Sequence, residues 1–394
     1  MASTIFCVVF FAQVVYRPVM DNMQHTGVIA VAVSGGADSL FSLMTLREQG
    51  ANLTALHGVF FPADSAAENE NRETVREHLA QICRKLGIPF FVADLSHEFR
   101  QHVIRPFVQA YADGLTPNPC ALCNARIKFG LLQDTALAHG ANALTTGHYA
   151  RILHKGEQRD PILLQGKDNL KDQSYFLALT APERLAKAVF PMGERHKKDI
   201  LERLARQGVT IPQPGESQEV CFVPNDAYRD FLPRMAEELG ISLPGPGPML
   251  LRDGKRLGTH KGLWQYTEGQ RKGLGIGWTE PLHVVGKERE ANILRLGSRH
   301  EMRAEGCECA NVNLLLAPAL WPEQVLVKTR YREKPKAARV ATEQGDDGLM
   351  LRIRFLQPDT AVAPGQVAAI YIPEVHEKEP SLRLVAGGLI TGAL

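Results

Sequence analysis

Six consecutive apolar residues, Val28–Val33, run directly into Ser34-Gly35-Gly36-Ala37-Asp38-Ser39. A strand with no polar face has to be covered on both sides, which is the situation of a parallel sheet sandwiched between helices. The glycines allow a sharp turn after it, and Leu40–Gln49 reads as a helix stopped by Gly50. The pattern then repeats. Leu53–Phe61, Pro89–Leu95 and Ala143–Thr146 read as further strands, with helices over Glu68–Leu86 and about Ala125–His139. Strands alternating with helices give a doubly wound α/β sheet with right-handed crossovers.

After about Gly208 the texture changes. Pro212, Pro214, Pro244, Pro246 and Pro248 break the alternation, and glycines crowd Gly245–Gly277. Towards the C-terminus come short β runs, Val325–Thr329, Leu349–Phe355, Val367–Ile372 and Leu382–Val385, with turns at Asp347-Gly348 and Pro364-Gly365. They are expected to close into a small barrel. The 394 residues suit two to three domains at roughly 150 residues each. The expected layout is an extension over 1–26, an α/β domain over 27–208, a small central domain over 209–282 and an all-β barrel over 283–394.

Hydrophobic residues at 44% and charged residues at 22% exclude a disordered or coiled-coil chain, and a net charge of +2 leaves no global field to attract a polyanion. The longest apolar run, Ile5–Ala12, is far short of the roughly 20 residues of a membrane helix, and no Lys or Arg precedes it. The 1–26 segment is read as dispensable for the fold, with an edge strand over Phe6–Val15 as the alternative. Seven cysteines, an odd number, in a long chain indicate a reducing cytoplasm and no membrane.

The glycine turn sits where strand ends and helix begins, a place where backbone N–H groups and the helix dipole favour an anion. It lacks the lysine of a Walker A loop and the spacing of a dinucleotide fingerprint. Asp38 could hold Mg²⁺ or act as a polar cap. The Ser-Gly-Gly-x-Asp-Ser pattern resembles the N-type ATP pyrophosphatases, which split ATP into AMP and pyrophosphate. That resemblance places ATP on Ala32, Val33, Ser34, Gly35, Gly36, Ala37, Asp38, Ser39, Phe61 and, in the turn after the fourth strand, Gly147.

Cys120 and Cys123 stand in Thr116-Pro117-Asn118-Pro119-Cys120-Ala121-Leu122-Cys123-Asn124-Ala125-Arg126-Ile127-Lys128-Phe129. Asn124 is expected to cap the following helix, putting Cys123 beside a helix N-terminus that lowers its thiol pKa. Cys221, by spacing alone, reads as a core cysteine. Taken with Lys171-Asp172-Gln173-Ser174-Tyr175-Phe176-Leu177, Gly258-Thr259-His260, Tyr266–Gly277, Lys328-Thr329-Arg330-Tyr331-Arg332 and Ala363-Pro364-Gly365-Gln366, these motifs resemble the tRNA-specific 2-thiouridylases in order from about Val28 to Gly388.

The resemblance implies adenylation of the wobble uridine C2 oxygen and its replacement by sulfur. It makes Cys221 the persulfide carrier and Cys123 the nucleophile that releases the product, with a disulfide between them as one route. Splitting a hard substitution into covalent steps is chemically reasonable. One departure stands out: many members carry Asp where this chain has Cys120, and a thiol does not replace a carboxylate. Cys120, Cys123 and Cys221 could instead ligate a [4Fe–4S] cluster, or structural zinc. Cys307 and Cys309 read as strand residues and Cys83 as core.

Two stretches are locally basic, Val327–Thr342 at net +5 and Arg252–Lys272 at net +4, with Trp264, Tyr266 and Tyr331 interleaved, which suits phosphate contact and base stacking. By the resemblance, the contacts to the tRNA anticodon loop are Asn118, Pro119, His148, Lys171, Asp172, Gln173, Arg330, Tyr331 and Gln366. A splayed-out base is the usual way such a loop is read. The expected cofactors are ATP and Mg²⁺, and the expected protein partner is a sulfur donor, a cysteine desulfurase or a relay protein. Rival readings are another adenylating ligase on the same fold, with no need for Cys123 or Cys221, and an RNA-binding module without turnover.

Overall fold

Strand β1 (Val28–Ala32) is buried along its middle, and its neighbours are both parallel to it: β2 (Asn52–Val59) on one side and β4 (Ala143–Thr145) on the other, with β3 (Phe90–Asp94) beyond β2. A hairpin of β5 (Ala150–Lys155) and β6 (Asp160–Gln165) follows, then β7 (Ala188–Val189), which completes the sheet order β3-β2-β1-β4-β7. The computed structural model describes residues 27–61, 66–155, 160–206, 210–213, 220–223, 227–346 and 348–394. The extension over 1–26, and with it Phe6–Val15, lies outside the described residues, as do 214–219 and 224–226 around Cys221.

The chain leaves β1 towards β2 and β3, then returns to the opposite side as β4. The order therefore reverses between β1 and β4, and a crevice opens there at the strand C-termini. Helices α1 (Ala37–Glu48) and α2 (Ala66–Leu86) close as expected at Gly50 and Gly87. Ile29, Val31, Leu40, Leu43, Leu46 and Leu79 form one covering layer. Each such fully buried side chain stabilises the fold by about 1.5–3 kcal/mol. The other face is covered by a larger cluster around Phe99, Phe107, Ile127, Phe129 and Leu144.

The middle sheet has the order β10-β11-β8-β9, with β8 at Gly247–Leu250, β9 at Arg256–His260, β10 at His283–Glu288 and β11 at Ile293–Gly297. The segment 283–297, read from the sequence as the start of the C-terminal module, is hydrogen-bonded into this sheet. β11 pairs in parallel with β8, and Val284 and Leu294 share its core with Met249 and Leu263.

The C-terminal strands are β12 (Arg303–Leu314), β13 (Val325–Lys328), β14 (Lys336–Gly345), β15 (Gly348–Thr360), β16 (Val367–His376) and β17 (Glu379–Ala393). Their order β12-β15-β14-β13-β16-β17, closed by β12 pairing with β17, makes the expected antiparallel barrel. Cys307 and Cys309 are buried in β12, and Cys83 is buried in α2. The barrel does not stand apart: β6 adds to β17 through Leu164 and Arg383, so the hairpin from the α/β unit extends the barrel sheet. Among the described residues no helix is long and apolar enough to cross a membrane.

Candidate active site

The glycine turn is held from inside by one hydroxyl. Ser39 Oγ accepts the Ser34 N–H at 3.1 Å and donates to the Gly36 carbonyl at 2.9 Å. Gly35 has φ +90°, and a Cβ there would lie 2.9 Å from Val75 Cγ1, so both backbone angle and space require glycine. The Gly35 carbonyl accepts the Gln213 N–H, which draws 210–213 against the turn. Across the crevice, a Cβ on Gly147 would lie 2.9 Å from Asp38 Cβ and 3.2 Å from Ser39 N. The two turns at the order reversal therefore touch. Ala32 and Val33 lead into the loop, Ala37 begins α1, and Phe61 lies across the sheet, where the Arg72 guanidinium covers its ring at 4.7 Å.

Asp38 is not a simple cap. Its Oδ1 accepts the Tyr149 hydroxyl at 2.7 Å and an ion pair from Lys197 Nζ at 2.6 Å. Both donors come from segments that also bind the loop Gly166–Gln173. The Tyr149 N–H donates to Gln173 Oε1 at 3.1 Å and the Gln173 N–H to the Tyr149 carbonyl at 2.8 Å. The Lys197 N–H donates to Asp168 Oδ2 at 3.1 Å.

The cysteine segment differs from expectation in one respect. Asn118, not Asn124, is the cap: its Oδ1 accepts the Ala121 N–H at the start of the short helix Pro119–Cys123. Cys123 lies at the C-terminal end of that turn, where it enters a π-helical stretch, Asn124–Leu132. No helix N-terminus assists the thiol, and burial pushes Cys123 up to about 12. Asn124 is buried and donates to the Phe176 carbonyl. Burial also raises Cys120.

Cys221 keeps solvent contact although protein surrounds it, and that crowding pushes its thiol up to about 11. Its neighbour Phe222 anchors the segment, with its ring 5.6 Å from Phe99 and 5.2 Å from Phe107. Cys123 feels the charges of Lys128, Cys221 and Cys120, and Lys128 also acts on Cys221 and on His148. Cys221, 98 residues beyond Cys123 in sequence, thus lies within electrostatic reach of Cys120, Cys123 and Lys128. All three cysteines are free thiols.

The remaining candidates divide in two. Lys171 and Gln173 are half-buried at the rim of the Gly166–Gln173 loop, which carries Leu170, 90% exposed, at its tip. The others face inward. His148 is buried between Phe129 and Phe190 with its Nδ1 2.6 Å from Thr146 Oγ1, and burial holds it well below the ordinary imidazole range. Asp172 is buried, closes its own loop by accepting from Gly166 N, Ser174 N and Ser174 Oγ, and is raised by burial. Pro119 is buried.

Arg330 donates to the carbonyls of Glu268 and Ala361, and Gln366 to those of Thr116 and Pro117. Tyr331 packs on Phe176 at 4.3 Å. The basic stretch is also less exposed than its charge suggests. Lys328 is buried, and Lys336 is paired with Glu333 at 2.7 Å.

Three family models match the chain in order: a tRNA methyl transferase HUP domain over residues 27–225, a tRNA methyl transferase PRC-barrel domain over 236–298 and an aminomethyltransferase β-barrel domain over 305–376. A tRNA-specific 2-thiouridylase from Nitratidesulfovibrio vulgaris (strain Miyazaki F) is 48% identical over 92% of this chain and 99% of its own. Another from Oleidesulfovibrio alaskensis is 49% identical over 92% of this chain and 98% of its own. The chain belongs to the tRNA-specific 2-thiouridylase family. Among solved structures, a U34-tRNA thiolase from Methanococcus maripaludis overlaps 56% of this chain and 68% of its own at 15% identity and a TM-score of 0.34, too loose a likeness to build on.

The cluster alternative would use Cys120, Cys123 and Cys221; among the described residues no three His, Cys, Asp or Glu side chains are grouped to hold a metal ion. Asp38, engaged by Lys197, is likewise not part of a ready-made cation site. Tyr149 and Lys197, the two side chains that hold Asp38, carry no sequence signal of their own. Lys128 was visible inside the Ile127-Lys128-Phe129 motif, but its role only emerges when Cys221 is brought to it.

Proposed function

We propose that this chain adenylates the C2 oxygen of a tRNA wobble uridine with ATP and replaces that oxygen by sulfur carried on Cys221. The observation that supports this reading is the shared neighbourhood of Cys123, Cys221 and Lys128 beside the crevice walled by the glycine turn and Gly147. In this scheme the uridine oxygen attacks the α-phosphorus and pyrophosphate leaves. The terminal sulfur of a Cys221 persulfide then attacks C2 and displaces AMP. Cys123, as thiolate, attacks the Cys221 sulfur, forming a disulfide and freeing the 2-thiouridine. An external thiol resets the disulfide, and a donor protein, a cysteine desulfurase or a relay protein, recharges Cys221 through its solvent-facing side.

The protein's own part is to bind and orient. The glycine turn holds the polyphosphate, and Lys128 offers the cation that a thiolate or persulfide needs in a buried place. Mg²⁺ fits as an ion that arrives with the nucleotide and supplies charge neutralisation. Lys171, Gln173 and exposed Leu170 form the rim that meets the anticodon loop, while Gln366 holds the approach to the cysteines and Arg330 ties Glu268 to Ala361. The protein's proposed substrates, ATP and tRNA, support a cytoplasmic location.

The test is to measure 2-thiouridine by mass spectrometry in tRNA from a strain lacking this protein, then with the wild type or Cys123→Ser restored. The reading requires that the wild type restores the nucleoside and Cys123→Ser does not. Full restoration by Cys123→Ser and Cys221→Ser would overturn the thiol relay, and a wild type that restores nothing would favour another adenylating ligase. tRNA binding without AMP release would leave only an RNA-binding module. Cys120→Ser is expected to retain activity, because the relay does not use that thiol.

A further inference from the structure

Two side chains join Asp38 of the glycine turn to the loop Gly166–Gln173. Tyr149 gives its hydroxyl to Asp38 at 2.7 Å, while its backbone exchanges two hydrogen bonds with Gln173, at 3.1 and 2.8 Å. Lys197 gives its ammonium to the same Asp38 oxygen at 2.6 Å, while its backbone N–H is taken by Asp168 at 3.1 Å. Asp168 in turn sets the tip of the loop, accepting the Leu170 N–H on its carboxylate and the Lys171 N–H on its carbonyl. The two links also touch, Lys197 Nζ lying 5.9 Å from the centre of the Tyr149 ring. Finally, the helix Lys197–Arg206 rides on α1 itself, with Arg203 paired to Glu48 and covering the Phe41 ring at 5.7 Å.

We propose that Tyr149 and Lys197 are positioning residues that couple nucleotide binding at the glycine turn to tRNA binding at the 166–173 loop. The inference rests on the reading of that loop as a tRNA contact. Asp38 brings a carboxylate to a turn that must receive a polyphosphate, and Lys197 offsets it only while Asp168 holds the start of its helix. tRNA that fixes Lys171 and the loop tip fixes Asp168 and Gln173. Those residues then keep Lys197 and Tyr149 on Asp38, so the turn is preset for ATP. Linkage makes the effect reciprocal: ATP favours the loop geometry that tRNA needs.

The experiment measures the dissociation constant of α,β-methylene-ATP, which cannot be cleaved at the reacting bond, with and without saturating unmodified tRNA. In the wild type, tRNA tightens the nucleotide at least five-fold. In Tyr149→Phe/Lys197→Met the tightening falls below two-fold, and Lys197→Arg, which keeps the cation, retains most of it. Tyr149→Phe alone removes a single hydroxyl and serves as the variant that folds in any case; it loses part of the coupling. Coupling in the double variant equal to the wild type overturns the inference, as does independent binding in the wild type. Lys171→Ala separates the two layers. If it leaves tRNA affinity unchanged, the loop reading fails and the inference with it. If it weakens tRNA while the double variant keeps its coupling, only the inference fails.

Discussion

Glu268 and Lys287 form an ion pair at 3.5 Å with side chains only 8% and 2% exposed, and the Thr116 hydroxyl lies within 3.5 Å of both. The pair comes from the middle module and Thr116 from the approach to the cysteines, so a buried charge pair holds that approach in place. Burial depresses the lysine, with Glu268 opposing the shift. Removing one partner strands the other charge. Lys287→Met is expected to cost about 3–5 kcal/mol in chemical denaturation. Glu268→Gln/Lys287→Met, with no unpaired charge left, should recover much of that. A single variant as stable as the wild type would show that the pair does not bear on the fold.

Gly147→Ala tests the contact between the two turns. The added methyl would sit 2.9 Å from Asp38 Cβ and 3.1 Å from the Asp38 carbonyl carbon, atoms at the start of α1 that cannot swing aside like a flexible side-chain tip. The expected result is nucleotide binding weakened about tenfold, on the order of 1.4 kcal/mol, with tRNA affinity in the absence of nucleotide within two-fold of wild type. Calorimetry on the apo protein reads both. Unchanged nucleotide affinity would mean the crevice is not where ATP lies.

The α/β unit was legible because β1 is apolar throughout and its turn has a composition with one good use. Local pattern also marked β13, β15, β16 and β17 of the closed barrel, but not β14, whose charged residues read only as a basic stretch. It did not give the 283–297 segment its place, since whether β10 pairs with the middle sheet or the barrel is decided by β8, more than 30 residues upstream. The start of the cysteine helix was not legible for a similar reason. Asn124 has the composition of a cap, but Asn118 and Pro119 start the helix one turn earlier, and Cys123 ends up buried at the wrong end for a helix dipole to help it. Tyr149 and Lys197 were invisible because a tyrosine and a lysine acquire meaning only from Asp38, 111 and 159 residues away.

Gln366 donates to the carbonyls of Thr116 at 2.9 Å and Pro117 at 3.1 Å, so its amide nitrogen is already engaged inside the protein. Gln366→Ala leaves two carbonyls short of a donor, at about 1 kcal/mol each. Thiolation is expected to lose several-fold in kcat, while the tRNA dissociation constant stays within two-fold. A loss confined to tRNA affinity would instead make Gln366 a direct contact.

Thiol reactivity provides the sharpest check on the cysteine pocket. Burial raises Cys123 to about 12 and Cys221 to about 11, above the 9.0 of an ordinary thiol. A raised thiol is neutral in the folded state, so its contribution to stability is complete below about pH 9 and is lost as pH climbs towards the folded value. Alkylation by iodoacetamide, followed residue by residue with mass spectrometry, should therefore be slow for Cys123 at pH 8 and still rising at pH 10. Cys221, which meets solvent, should react first. Lys128 is the opposing influence, lowering Cys123, Cys120 and Cys221 alike. Lys128→Met should slow Cys123 further, and Lys128→Arg should not. A Cys123 that reacts faster than Cys221 at pH 7.5, with a plateau below pH 9, would mean the resting thiol is already activated and that the pocket needs no substrate to ionise it.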